Sequence, residues 1–168
     1  MRLADGLILL GDTNRATQLY LKLVTQVEDM PLVRDSVRTK LTDIYLRGGD
    51  HSAARAQLEA ILRDDPSSAQ AYYFLGSLDY DEKQWKDAVG HFKKTVLLRP
   101  NFERAYYDLA AAQLAADDAA GTLLTLQQAG SRFARNFLGE YLAALAEQKQ
   151  KNYAEACKHF IAAEVMAK

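Results

Sequence analysis

The sequence predicts an all-α solenoid of antiparallel helix pairs with a 34-residue period, and three observations carry that prediction. Pro66 and Pro100 stand 34 positions apart, each closing an amphipathic stretch. The small residues Ala54, Ala88, Thr122 and Ala156 keep the same interval. So do the bulky apolar residues Leu58, Phe92, Leu126 and Phe160, while Leu41, Leu75 and Leu109 fall on the grid with Ala143 in the fourth place. Small residues let two helices of a pair approach closely, and the bulky ones fill the space to the next pair. One pair cannot bury its apolar face alone, so neighbours must stack.

The elements follow in order along one 1–168 domain, in units of roughly 1–34, 35–68, 69–102, 103–136 and 137–168. Gly11, Ala16 and Tyr20 fit a first unit whose opening helix lacks its first turn. The step from Ala16 to Ala54 is 38, so four residues are inserted, expected around Glu28 to Leu32. Gly48-Gly49-Asp50 offers a helix stop followed by an N-cap, and Asp65-Pro66-Ser67-Ser68 and Arg99-Pro100-Asn101 end one helix and begin the next. Helices are predicted over 3–10, 14–28, 32–47, 51–63, 68–82, 85–98, 102–116, 119–129, 134–150 and 153–167. The fourth unit is degenerate: Gly121 is placed within its second helix, Gly130 follows, and Ala134 replaces the proline. A bend or a frayed stretch is expected around 117 to 134, with close helix contact at Gly121 as the alternative.

The unit from Ala69 to Phe102 carries Tyr72, Leu75, Gly76, Tyr80, Trp85, Ala88, Phe92 and Pro100. This resembles the tetratricopeptide repeat signature, with two mild departures, Asp79 at the place of an aromatic and Thr95 at that of a small residue. The other units match at lower fidelity. The resemblance implies a right-handed superhelix and a non-enzymatic scaffold that holds a protein or peptide in its concave groove. Self-association as an assembly unit, or service as the recruiting segment of a larger enzyme, are the alternatives. Neither end of the sequence carries a polar capping helix, which suggests a segment of a longer solenoid or association through an end.

In such repeats the first helix of each pair lines the groove, and the resemblance nominates Thr39, Asp43, Gln70, Tyr73, Ser77, Tyr80, Arg104, Tyr107, Ala111, Leu114, Tyr141 and Leu145. Tyr73, Tyr107 and Tyr141 occupy one repeat position and would form a ladder along the groove; bracing of adjacent helices is the competing role. Tyr72 and Tyr106, one position earlier, are expected to pack between helices. Relatives that grip acidic chaperone tails place Lys and Asn at the fifth and ninth positions. Here those pairs are Thr39/Asp43, Tyr73/Ser77, Tyr107/Ala111 and Tyr141/Leu145, so a mixed apolar and polar segment is the expected ligand.

Composition narrows the remaining classes. Lys plus Arg number 21 against 22 Asp plus Glu, a balance that argues against nucleic acid. Leu7 to Leu10 is too short an apolar run for membrane insertion or a signal core, and Asp5 and Asp12 bracket it. The one cysteine, Cys157, excludes an internal disulfide and leans toward a reducing compartment; it is expected to be a small, semi-buried apolar residue. His51, His91 and His159 show no metal-ligand spacing, and no phosphate loop is present, so neither metal nor cofactor is expected.

Overall fold

The computed structural model describes residues 1–167, and among them the secondary structure is ten α-helices with no strand. They are α1 (Arg2–Leu9), α2 (Thr13–Gln26), α3 (Pro31–Arg47), α4 (His51–Asp64), α5 (Ala69–Asp81), α6 (Trp85–Leu98), α7 (Glu103–Ala115), α8 (Ala119–Gly130), α9 (Phe137–Lys149) and α10 (Tyr153–Met166). The largest departure from the sequence-based boundaries is at α9, expected from 134 and observed from Phe137. Asn136 sets that start, its side chain accepting from the Gly139 amide at 2.9 Å. Asp12, Asp50 and Asp118 cap α2, α4 and α8 in the same way.

Two compact units divide the chain after Ala71. In the first, Ala4, Ala16, Tyr20, Val37 and Leu41 form one core. The Tyr20 ring is fully buried and its hydroxyl donates to Asp5 at 2.6 Å, with Lys40 3.3 Å from the same carboxylate. The tyrosine hydrogen bond, then Lys40, holds Asp5 below the usual carboxylate range. The four inserted residues lengthen α3 to 17 residues where α5, α7 and α9 have 13; Pro31 opens it, and Arg34 reaches back to the Glu28 carbonyl at 2.7 Å. Arg38 ties α3 to α4 through Asp64 and the Ala60 carbonyl.

In the second unit two cores follow one another. One joins Ala88 and Phe92 of α6 to Leu109 and Ala112 of α7. The other joins Tyr106, Tyr107 and Ala110 to Ala129 and Leu142. Helix α8 runs unbroken through Gly121, which lies in its first turn rather than mid-helix. A Cβ there would meet only the side chain of the capping Asp118, so this glycine makes no helix–helix contact. The irregular stretch of the fourth repeat is confined to the residues between α8 and α9.

All five turns within helix pairs share one left-handed residue: Gly11, Gly49, Lys83, Asp117 and Lys151, with φ between 61° and 80°. In each, the next amide bonds a carbonyl five residues back, as in Gln84 to Asp79 at 2.7 Å. Only the first two turns use glycine. A β-carbon in this region costs about 1–2 kcal/mol, partly offset by the greater unfolded-state freedom of glycine. Lys83→Gly is therefore expected to raise the unfolding free energy by about 0.5 kcal/mol. Urea denaturation checks this, and a lower midpoint would refute it.

Candidate binding groove

Helices α5, α7 and α9 are the first helices of successive pairs, and their residues line a hollow of about 410 Å³ in the second unit. Its walls are Tyr73, Ser77, Tyr80, Asp81, Phe92, Arg104, Tyr107, Asp108, Ala111 and Leu138. Six nominated residues therefore meet in one place: Tyr73, Ser77, Tyr80, Arg104, Tyr107 and Ala111. The helical period puts them there, because positions four apart on α5 and on α7 share a face.

The polar centre of the hollow is Asp108. The Tyr73 hydroxyl donates to it at 2.8 Å, and Arg104 Nε donates to both of its oxygens at 3.1 and 3.2 Å. Burial, and then the Asp108 hydrogen bond, push the Tyr73 phenol up to about 12. It therefore stays a protonated donor at neutral pH. The Arg104 side chain is 69% exposed, so its guanidinium faces solvent at the rim of the groove. Tyr73 is half-buried, its ring 4.7 Å from Phe102 and 5.8 Å from Phe92 between centroids. An aromatic floor of mutually tilted rings thus surrounds one charged, hydrogen-bonded cluster, an arrangement suited to a segment with both apolar and polar groups.

The three tyrosines of the expected ladder occupy different environments. Tyr107 is 6% exposed, its ring tucked beneath Gly139, where a Cβ would lie 3.1 Å away. Tyr141 is 41% exposed, stacks on Phe137 and meets Phe160 edge-on. Tyr106 is buried against Phe133, while Tyr72 lies beside His91.

The remaining nominees lie outside this hollow. Thr39 and Asp43 are in the first unit: the Thr39 hydroxyl donates to its own helix at Asp35, and Asp43 borders a separate recess beside Ile44 and Arg47. Gln70, also in the first unit, is exposed. Leu114 packs against the Tyr106 core, and Leu145 is half-buried on α9. Asp81, Phe92, Asp108 and Leu138 are the wall residues outside those twelve nominees. The signal for Asp108 was its spacing of four from Arg104 on a helix, which favours an ion pair on the groove face.

The histidines play another part. His91 Nδ1 lies 2.5 Å from the buried Asp79, and His159 Nδ1 lies 2.8 Å from the buried Glu140. In the intervening repeat, the Thr125 hydroxyl donates to Gln113 at 2.7 Å. Each of these second helices thus makes a polar bond to the first helix of its own pair. Cys157 is exposed on α10, contrary to the expectation that it would be semi-buried. No helix among the described residues is long and apolar enough to cross a membrane.

A family model described as a tetratricopeptide repeat matches residues 38–68. Over 87 residues, 52% of this chain, the sequence is 36% identical to the probable biofilm formation methyltransferase WspC of Pseudomonas putida. That stretch spans only 20% of the relative's own length. Among solved structures, MamA from Desulfovibrio magneticus RS-1 has a TM-score of 0.85 at 17% identity, covering 99% of this chain and 92% of that one. YrrB, described as a TPR protein with an unusual peptide-binding site, has a TM-score of 0.83 at 16% identity, covering 98% and 83%. These likenesses show the fold, an all-α helical-repeat solenoid. Residues 38–68 match a tetratricopeptide repeat, and the 34-residue grid carries the same spacing along the rest of the sequence.

Proposed function

We propose that this chain is a non-enzymatic scaffold that binds a protein or peptide segment in the hollow between α5, α7 and α9. The observation that carries the reading is the pairing of an aromatic floor, Tyr73, Tyr80 and Phe92, with the Arg104–Asp108 cluster in one concave space. An extended or helical segment would lay an apolar side chain on the rings, and its polar groups would meet Arg104 and Asp81. The peptide-binding site ascribed to YrrB is consistent with this use of the fold.

A ligand segment selected from a displayed random-peptide library on the intact chain provides the probe. Ser77→Arg with Ala111→Arg fills the hollow from two helices at half-buried positions. Affinity is expected to fall at least about tenfold, because a bulky desolvated cation replaces the space for the ligand. A folded double variant that binds the selected peptide as tightly as the parent would sink the proposal.

The WspC likeness favours a second reading in which the same scaffold recruits partners for a larger enzyme. In that arrangement the groove chemistry is unchanged, and a catalytic domain outside these residues supplies the reaction. Determination of the full gene product separates the two readings.

A further inference from the structure

The charges that line the α5–α7–α9 hollow do not balance. Among its walls are one cation, Arg104, and two carboxylates, Asp81 and Asp108. Arg104 Nε donates to both oxygens of Asp108, so these two charges offset each other. Asp81 is exposed, and its side chain forms no hydrogen bond or ion pair among the described residues. The hollow therefore presents one uncompensated negative charge.

The position of that charge adds to its effect. Asp81 is the last residue of α5, where the partial negative charge of the helix end joins its own. Successive first helices of antiparallel pairs run in the same direction, and Tyr73 meets Asp108, 35 residues on. Arg104, in the first turn of α7, and Asp81, at the end of α5, therefore mark opposite ends of the hollow. The neighbouring cations are directed elsewhere. Lys83, two residues after Asp81, lines a different recess with Trp85 and Asp117. Lys149 holds the repeat position of Asp81 two units on, but its ammonium lies 2.6 Å from Asp117 and 3.1 Å from the Leu114 carbonyl.

We propose that the segment bound in the hollow carries a lysine or arginine that pairs with Asp81, beside an apolar residue seated on the aromatic floor. This deepens the groove reading above and rests on it. The occupant follows from charge complementarity: the free charge is a carboxylate, and Tyr80 precedes it on the same wall. A basic side chain lays its methylene stem along the rings, brings its cation within reach of a π face, and ends at the carboxylate. An acidic residue in its place would meet Arg104 only in competition with Asp108, which already holds that guanidinium.

Panning a displayed random-peptide library on the parent chain and on Asp81→Lys tests the proposal. Peptides selected on the parent are expected to share a Lys or Arg at a fixed interval from an apolar residue. Asp81→Lys is expected to select an acidic residue at that place. Calorimetric titration of one parent-selected peptide then reads the pair itself. Asp81→Asn is expected to weaken it about fivefold, since an exposed ion pair and a cation–π contact each contribute modestly. Replacing the peptide's basic residue with norleucine should cost the parent chain the same factor and cost Asp81→Asn nothing further. Asp81 is exposed, so these changes leave the buried core untouched. Peptides that the Ser77→Arg, Ala111→Arg double variant no longer binds, yet that carry no basic residue, overturn the inference and leave the groove reading standing. So do hollow-dependent peptides that bind Asp81→Asn as tightly as the parent. Selected peptides that bind the double variant undiminished remove both.

Discussion

Phe92→Ala is expected to lower the unfolding free energy by about 3–5 kcal/mol, the largest single effect in the molecule. The ring is 2% exposed and fills the junction between α5, α6 and α7, within a core shared with Ala88, Leu109 and Ala112. Neighbouring helices cannot collapse into the vacated volume, because the flanking Tyr73 and Tyr80 are held by Asp108 and Trp85 respectively. The space that the ring needs comes from Gly76. A Cβ at that position would meet ring atoms of Phe92 at 2.8, 2.9 and 3.1 Å.

At the same two positions the grid sets Ala4 with Tyr20, Thr42 with Leu58, Ala110 with Leu126 and Ala144 with Phe160, so Gly76 with Phe92 is the pair without a Cβ. Gly76→Ala alone is therefore expected to destabilise by about 1 kcal/mol, overpacking outweighing the gain in helix propensity. In a Phe92→Leu background the same change is expected to stabilise by about 0.5 kcal/mol, since the propensity gain then stands alone. A double-mutant cycle by urea denaturation reads the difference directly. Equal effects in the two backgrounds would show that Gly76 has some other cause.

The helix map was readable because its signals are local and periodic: capping Asp12, Asp50 and Asp118, the paired prolines, and apolar residues on a fixed grid. The left-handed residues were readable only at Gly11 and Gly49. Lys83, Asp117 and Lys151 adopt the same backbone without a residue type that announces it. There the cost is borne by the turn's own hydrogen bonds and, at Asp117, by Lys149, whose ammonium lies 2.6 Å from the carboxylate. The groove was legible as a face but not as a set of environments. Tyr73, Tyr107 and Tyr141 are identical in the grid, yet each has its own neighbours: Phe102 and Asp108 for the first, Gly139 for the second, and the open side of α10 for the third. Such differences arise from residues one repeat away, which a column of like residues does not reveal.

The second large effect is expected at Glu140, which stands where Tyr72 and Tyr106 stand in the preceding repeats. Its side chain is 9% exposed, and both oxygens are engaged: Arg135 Nε donates to one at 2.6 Å, and His159 Nδ1 lies 2.8 Å from the other. The Arg135 hydrogen bond holds the carboxyl below its ordinary value of 4.5 against the opposing push of burial, and His159 adds to the lowering. Glu140→Ala removes both bonds and leaves two donors beside a cavity. The expected loss is about 2 kcal/mol at neutral pH, because bonds to charged groups contribute more than neutral ones while solvent at Arg135 weakens its share. The sign of the pH dependence is set by the lowered carboxyl. Its stabilisation is complete above the unfolded-state value and is lost as pH falls through the lower, folded-state value. Glu140→Gln should therefore differ most from the parent at neutral pH and least in acid below the folded-state value, where the carboxyl is protonated in both states. Urea titrations at the two conditions measure this. An undiminished difference in acid would mean that the shape of Glu140, and not its charge, holds α9 to α10.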